Sequence, residues 1–87
     1  MEIKVTTEEG CAVMRLKGRF DFSAHRDFRA GIEVALQQAH ARKIRVDMGE
    51  VDYLDSSALG MMLILRDKAQ AANMTVEIAN AKKTLVQ

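Results

Sequence analysis

From Glu2 to Thr7, Ile3, Val5 and Thr7 alternate with Glu2, Lys4 and Thr6, the period of a half-buried strand. Glu9-Gly10 supplies a turn, and a second alternation begins at Cys11 and carries Val13, Met14 and Leu16 around Arg15 and Lys17 until Gly18 closes it. The two predict an antiparallel hairpin. The period then changes. Phe28, Ile32, Ala35, Leu36 and Ala39 follow helical spacing, with Ser23 as the N-cap and an end near His40,. Lys43 to Met48 alternates as a third strand, broken by Gly49-Glu50-Val51-Asp52,. Asp55-Ser56-Ser57 offers three capping residues immediately before the apolar run Ala58–Leu65, so a second helix starts there and ends near Asn73,. Thr75 to Ala79 reads as a fourth strand, and Asn80 would cap a last helix of which only Ala81 to Gln87 are present.

The order is β-β-α-β-α-β. Strands joined through helices favour parallel pairing with right-handed crossovers, while the hairpin adds an antiparallel edge. The expectation is a single α/β domain over 1–87, with a mixed four-stranded sheet, its helices on one face and an incomplete last helix.

On the second helix, Ala58, Met62, Leu65, Ala69 and Ala72 share the arc that should face the sheet,. Leu59 and Leu63 fall outside it, on the side that later carries Arg66 and Gln70. Either the first turns are buried all round or they form an exposed patch awaiting a partner. Just ahead of that patch, the helix start favours an anion and accommodates a phosphate carried by a first-turn serine.

Composition narrows the chemistry. The 87 residues carry 13 Lys and Arg against 12 Asp and Glu, so net charge does not point to nucleic acid. Arg19, Arg26 and Arg29 about the first helix start, and Arg42, Lys43 and Arg45 after its end, read as solvated faces without a stacking platform,. Cys11 is the sole cysteine, so no internal disulfide forms; with no leader sequence, the compartment read is the cytoplasm. Cys11 and most of the methionines read as core filling. The eight-residue apolar run is too short to cross a bilayer,. Ser56, His25 and one of Asp21, Asp47, Asp52 or Asp55 contain triad residue types, but no G-x-S-x-G elbow surrounds the serine,. No metal spacing or phosphate-cradling glycine loop is present,. The reading is a non-enzyme with no cofactor and no metal.

Leu54-Asp55-Ser56-Ser57-Ala58-Leu59-Gly60, the element order, and Gly18-Arg19-Phe20-Asp21 at the end of the second strand together resemble the STAS domain of anti-sigma factor antagonists. The resemblance implies partner switching. Unphosphorylated, such a protein binds an anti-sigma factor that doubles as a serine kinase and so frees a sigma factor; phosphorylated, it lets go, and a serine phosphatase resets it. The phospho-acceptor maps onto Ser56, and the partner-binding residues onto Asp21, Phe22, Tyr53, Asp55, Ser56, Ser57 and Leu59. The family usually continues into a full C-terminal helix, and its shortening here would leave an apolar groove that invites a homodimer. The alternative within the same fold is a STAS subunit of an ABC-type lipid transport complex, bound to its ATPase without phosphorylation.

Overall fold

A computed structural model describes residues 1–38 and 40–81. Strands β1 (Glu2–Glu8) and β2 (Cys11–Phe20) form the hairpin, followed by a 3₁₀ turn at Phe22–Ala24 and helix α1 (His25–Leu36). Strand β3 (Lys43–Leu54), helix α2 (Ser56–Ala71) and strand β4 (Thr75–Ala79) complete the described elements. Glu9 and Gly10 both have positive φ, +47° and +77°, as a tight two-residue hairpin turn requires. The sheet order is β1-β2-β3-β4, antiparallel at β1/β2 and parallel at β2/β3 and β3/β4. Because both crossovers step the same way across the sheet, right-handedness places α1 and α2 on one face.

That face holds the core. Ala12, Met14 and Leu16 of β2 and Ile44, Val46 and Met48 of β3 pack under Phe28, Ile32 and Ala35 of α1 and Ala58, Met61, Leu65 and Ala69 of α2. Phe20 and Phe28 are fully buried, their ring centroids 4.9 Å apart and tilted by 40°; such a pair adds about 1 kcal/mol to its burial. Gly31 lets α1 approach closely, since a Cβ there would meet the Met14 methyl carbon at 3.1 Å and Ile3 at 3.2 Å. The opposite face carries the ion pairs Arg45–Glu77 at 2.8 Å and Arg15–Asp47 at 3.7 Å beside the buried Cys11 and Val13. Cys11 is buried, as expected.

Three local expectations change. The third strand does not break at Gly49-Glu50-Val51-Asp52 but runs on to Leu54, with register shifts against β2 between Arg15 and Lys17 and between Gly18 and Arg19. Each shift inserts one extra β3 residue, a bulge that interrupts the period-two pattern in sequence as a turn does. The first helix is preceded by a turn capped by Asp21, not Ser23, and α1 ends at Leu36 rather than near His40, with Ala39 outside the described residues. On α2 the buried residues are Ala58, Met61, Leu65 and Ala69; Met62 is half-buried and Ala72 lies beyond the helix, exposed. The expected last helix, Ala81 to Gln87, lies outside the described residues except for Ala81.

Gly18 has φ +100° with nothing within 4 Å of an added Cβ, so Gly18→Ala should cost roughly 1–3 kcal/mol through backbone strain alone. Gly60, exposed on α2 and equally unobstructed, should gain roughly 0.5–1 kcal/mol as Ala. Urea unfolding of the two variants should shift in opposite directions.

Candidate functional site

The two bulges bring the ends of β2 and β3 side by side. Arg19 pairs with Tyr53 and Phe20 with Leu54, and the Asp55 N–H donates to the Phe20 carbonyl at 3.3 Å. Each strand then leaves the sheet through the same local device. Asp21 Oδ1 accepts from the Ser23 N–H at 3.0 Å and from its hydroxyl at 2.5 Å. Asp55 Oδ1 accepts from the Ser57 N–H at 2.9 Å and from the Ser57 hydroxyl. Both are Asp-x-Ser turns in which an extended aspartate caps the following helical segment,. Asp21 and Ser23 thus mirror Asp55 and Ser57.

Ser56 is the first residue of α2, exposed, and its hydroxyl makes no hydrogen bond among the described residues. Leu59 lies one turn on, 64% exposed, on the same helix surface,. Leu63 and Tyr53 are exposed too, and Phe22, in the Asp21 turn, is 78% exposed. Of the two alternatives for the first turns of α2, burial all round or an exposed patch, the structure shows the exposed patch. Of the seven expected contact residues, Asp21, Phe22, Tyr53, Asp55, Ser56 and Ser57 sit on the two neighbouring turns or the strand end feeding them, and Leu59 follows in the first turns of α2. Alongside, a groove of about 630 Å³ runs between α2 and β4, lined among others by Leu59, Met62, Leu63, Val76 and Ile78.

Arg19 belongs to this site although sequence reading did not select it. Its guanidinium lies 4.1 Å from the centroid of the Tyr53 ring, and Nε donates to Asp21 Oδ2 at 3.2 Å. The repeated Asp-x-Ser was visible in the sequence; the stacking on Tyr53, 34 positions on, was not. The Ser23 hydroxyl holds the Asp21 carboxyl below its ordinary value of 3.8, with Arg19 and the Ser23 amide adding to the effect and desolvation opposing it.

No group of three or more His, Cys, Asp or Glu positioned to hold a metal occurs among the described residues, and no helix there is long and apolar enough to cross a membrane.

The sequence pattern of the family described as "Mlab, STAS domain" matches residues 3–87. The chain belongs to the STAS domain family. A STAS-domain containing protein of Pseudomonas aeruginosa (strain UCBPP-PA14) is 48% identical over 68 residues, covering 77% of this chain; the match spans 64% of that relative's length. The unphosphorylated anti-sigma factor antagonist SpoIIAA superposes with a TM-score of 0.74 at 24% identity, over 95% of this chain and 76% of SpoIIAA. Mglu superposes with a TM-score of 0.75 at 16% identity, over 92% of this chain but only 20% of Mglu. At these identities the two structures establish a shared STAS fold.

Asp55→Ala should destabilise by about 1 kcal/mol through loss of the cap, whereas Ser56→Ala should stay within about 0.5 kcal/mol of the wild type; urea midpoints read both. Because the folded Asp21 value is lowered, the stability Asp21 contributes is complete above its unfolded value and is lost as pH falls through the folded one,. Asp47, lowered by Asn80 and the Gly49 amide, and Glu77, lowered by Arg45 and Lys43, act with the same sign. The urea midpoint should therefore fall on acidification from about pH 5 to about pH 2, less steeply in Asp21→Asn.

Proposed function

We propose that this chain is an anti-sigma factor antagonist that changes partners through phosphorylation of Ser56. The observation that carries the reading is the pairing of an unengaged, exposed serine at the first position of α2 with an exposed leucine one turn later. A phosphate on Ser56 would lie beside the apolar contact surface. There it adds about −1.5 to −2 charges, and closing an apolar interface over an uncompensated charge costs several kcal/mol. Without the phosphate, Leu59, Phe22 and Tyr53 offer one side of a docking surface, with the partner an anti-sigma factor that is also a serine kinase.

In the phosphorylated direction the Ser56 hydroxyl gives up its proton and takes the γ-phosphoryl group of the kinase's ATP, and ADP leaves. A serine phosphatase hydrolyses the ester and restores the hydroxyl. ATP is held by the kinase, so the chain acts as substrate and ligand rather than as an enzyme, in the cytoplasm where kinase and sigma factor meet. The likeness to SpoIIAA supports this reading through the shared fold, and the intact Asp55-Ser56-Ser57 supports it over a transport subunit that works without phosphorylation.

Incubation with the cognate kinase and ATP, followed by mass spectrometry of the Asp55–Arg66 peptide, should find one phosphate, on Ser56. Modification on Ser57 would move the site. Ser56→Asp should lose binding to that kinase and Ser56→Ala should bind constitutively; equal binding by both would sink the switch. Leu59→Ala should weaken binding at unchanged melting temperature, because its side chain contributes little to the core.

A further inference from the structure

Among the described residues Phe22 is the most exposed of the large apolar side chains, and Arg26 is its cationic neighbour. Phe22, Ser23, His25, Arg26 and Asp27 line one shallow pocket at the start of α1. Arg29 follows Arg26 one turn along the same helix, and both are exposed. Among the described residues neither Arg26 nor Arg29 forms an ion pair, while Asp27, the only acid of the first turn, lies 4.0 Å from the amino terminus of Met1. Cations in the first turn oppose the helix dipole, and two arginines at i and i+3 repel one another. The fold itself gains nothing from this arrangement. Locally unfavourable choices of this kind concentrate where a surface serves binding.

Arg19, on the Tyr53 side, is engaged by the ring and by Asp21, which leaves Arg26 and Arg29 as the cations of this face without an ion pair among the described residues. An exposed apolar anchor with two arginines on one side, neither in an ion pair among the described residues, is complementary to an acidic segment that carries an apolar side chain,. We propose that the Phe22 face, extended along α1 by Arg26 and Arg29, binds an acidic segment of a protein partner, whose apolar side chain packs on Phe22 while its carboxylates meet the two arginines. This deepens the docking role given above to Phe22 and rests on it.

The second cationic cluster differs in the feature that matters. Around Arg42, Lys43 and Arg45 the pocket is lined by Glu8, Glu9 and buried Cys11, contains no exposed large apolar residue, and Arg45 is already bonded to Glu77 at 2.8 Å. It serves as an internal control. Nucleic acid fits the Phe22 face poorly, because Tyr53 is covered by Arg19 rather than open to a base,.

The test is titration of the isotope-labelled full chain with a synthetic peptide of glutamates flanking a central leucine, followed by backbone amide NMR. Shifts should be confined to Phe22–Arg29, and the affinity should fall about tenfold or more as salt rises from about 50 to about 300 mM. Arg26→Glu combined with Arg29→Glu should abolish the shifts, and Phe22→Ser should weaken binding about tenfold, each with a spectrum that remains folded. The lysine version of the peptide should not bind. Shifts centred on Arg42–Arg45, no shifts at all, or tighter binding of a short DNA duplex to the same residues would overturn the proposal. The assay needs no kinase, so a failed phosphorylation at Ser56 leaves its result standing, and a failed titration leaves the phosphorylation result standing.

Discussion

The pairing of β2 with β3 is the constraint on which the rest depends. Along β2 the helix-facing positions are Ala12, Met14, Leu16, Gly18 and Phe20, spaced evenly, while on β3 they are Ile44, Val46, Met48, Val51 and Leu54. An unbulged β3 would turn Val51 to the opposite face, since a shift of one residue reverses every side chain beyond it. Two inserted residues prevent this. Asp47 secures the first bulge by accepting from the Gly49 amide at 2.9 Å and from Asn80 at 3.0 Å, which also ties β3 to the end of β4. At the second, the positive φ of Gly18 supplies a backbone conformation that a side chain disfavours,. The strand ends then emerge in register, and the two Asp-x-Ser turns stand side by side because of it.

From there the division between core and surface follows. Helix α2 buries Ala58, Met61, Leu65 and Ala69, which already fill the side facing the sheet, so Leu59 and Leu63 have no core left to enter. Leaving such a side chain in water forgoes roughly 1.5–3 kcal/mol each. The fold tolerates the loss because Phe20, Phe28 and the strand residues beneath them close the interior without help from either leucine. Stability and recognition thus draw on separate faces of one helix.

Much of this was legible along the chain because the signals are local. Alternation marked all four strands, and an aspartate followed by two serines before an apolar run marked the start of α2, since capping depends on residues within one turn of each other. The readings that failed involved choices between near-equivalent residues or contacts between distant ones. Ser23 and Asp21 are both good caps, and only the extended backbone at Asp21 decides between them. Met61 and Met62 are adjacent and equally apolar, so the rotation of α2 about its axis is set by packing rather than pattern. A bulge and a turn both interrupt period two, which is why β3 read as ending at Met48. Arg19 read as part of a solvated face about the first helix start because its aromatic partner, Tyr53, belongs to another strand.

The proposed switch and the proposed acidic partner reinforce one another electrostatically. At physiological salt charges act over about 8 Å, so a phosphate on Ser56 is felt chiefly by the groups on the two neighbouring turns. Of those groups, Asp21 is matched by Arg19 within hydrogen-bond distance, and Asp55 accepts from Ser57 through one carboxylate oxygen. To that site a phosphate brings nearly two negative charges, which repel an acidic segment where it packs on Phe22 of the neighbouring turn. At the same time the helix dipole favours the phosphate at the first position of α2, so the modification need not loosen the fold in order to release the partner. A surface selected through charge is one that a single modified serine can close.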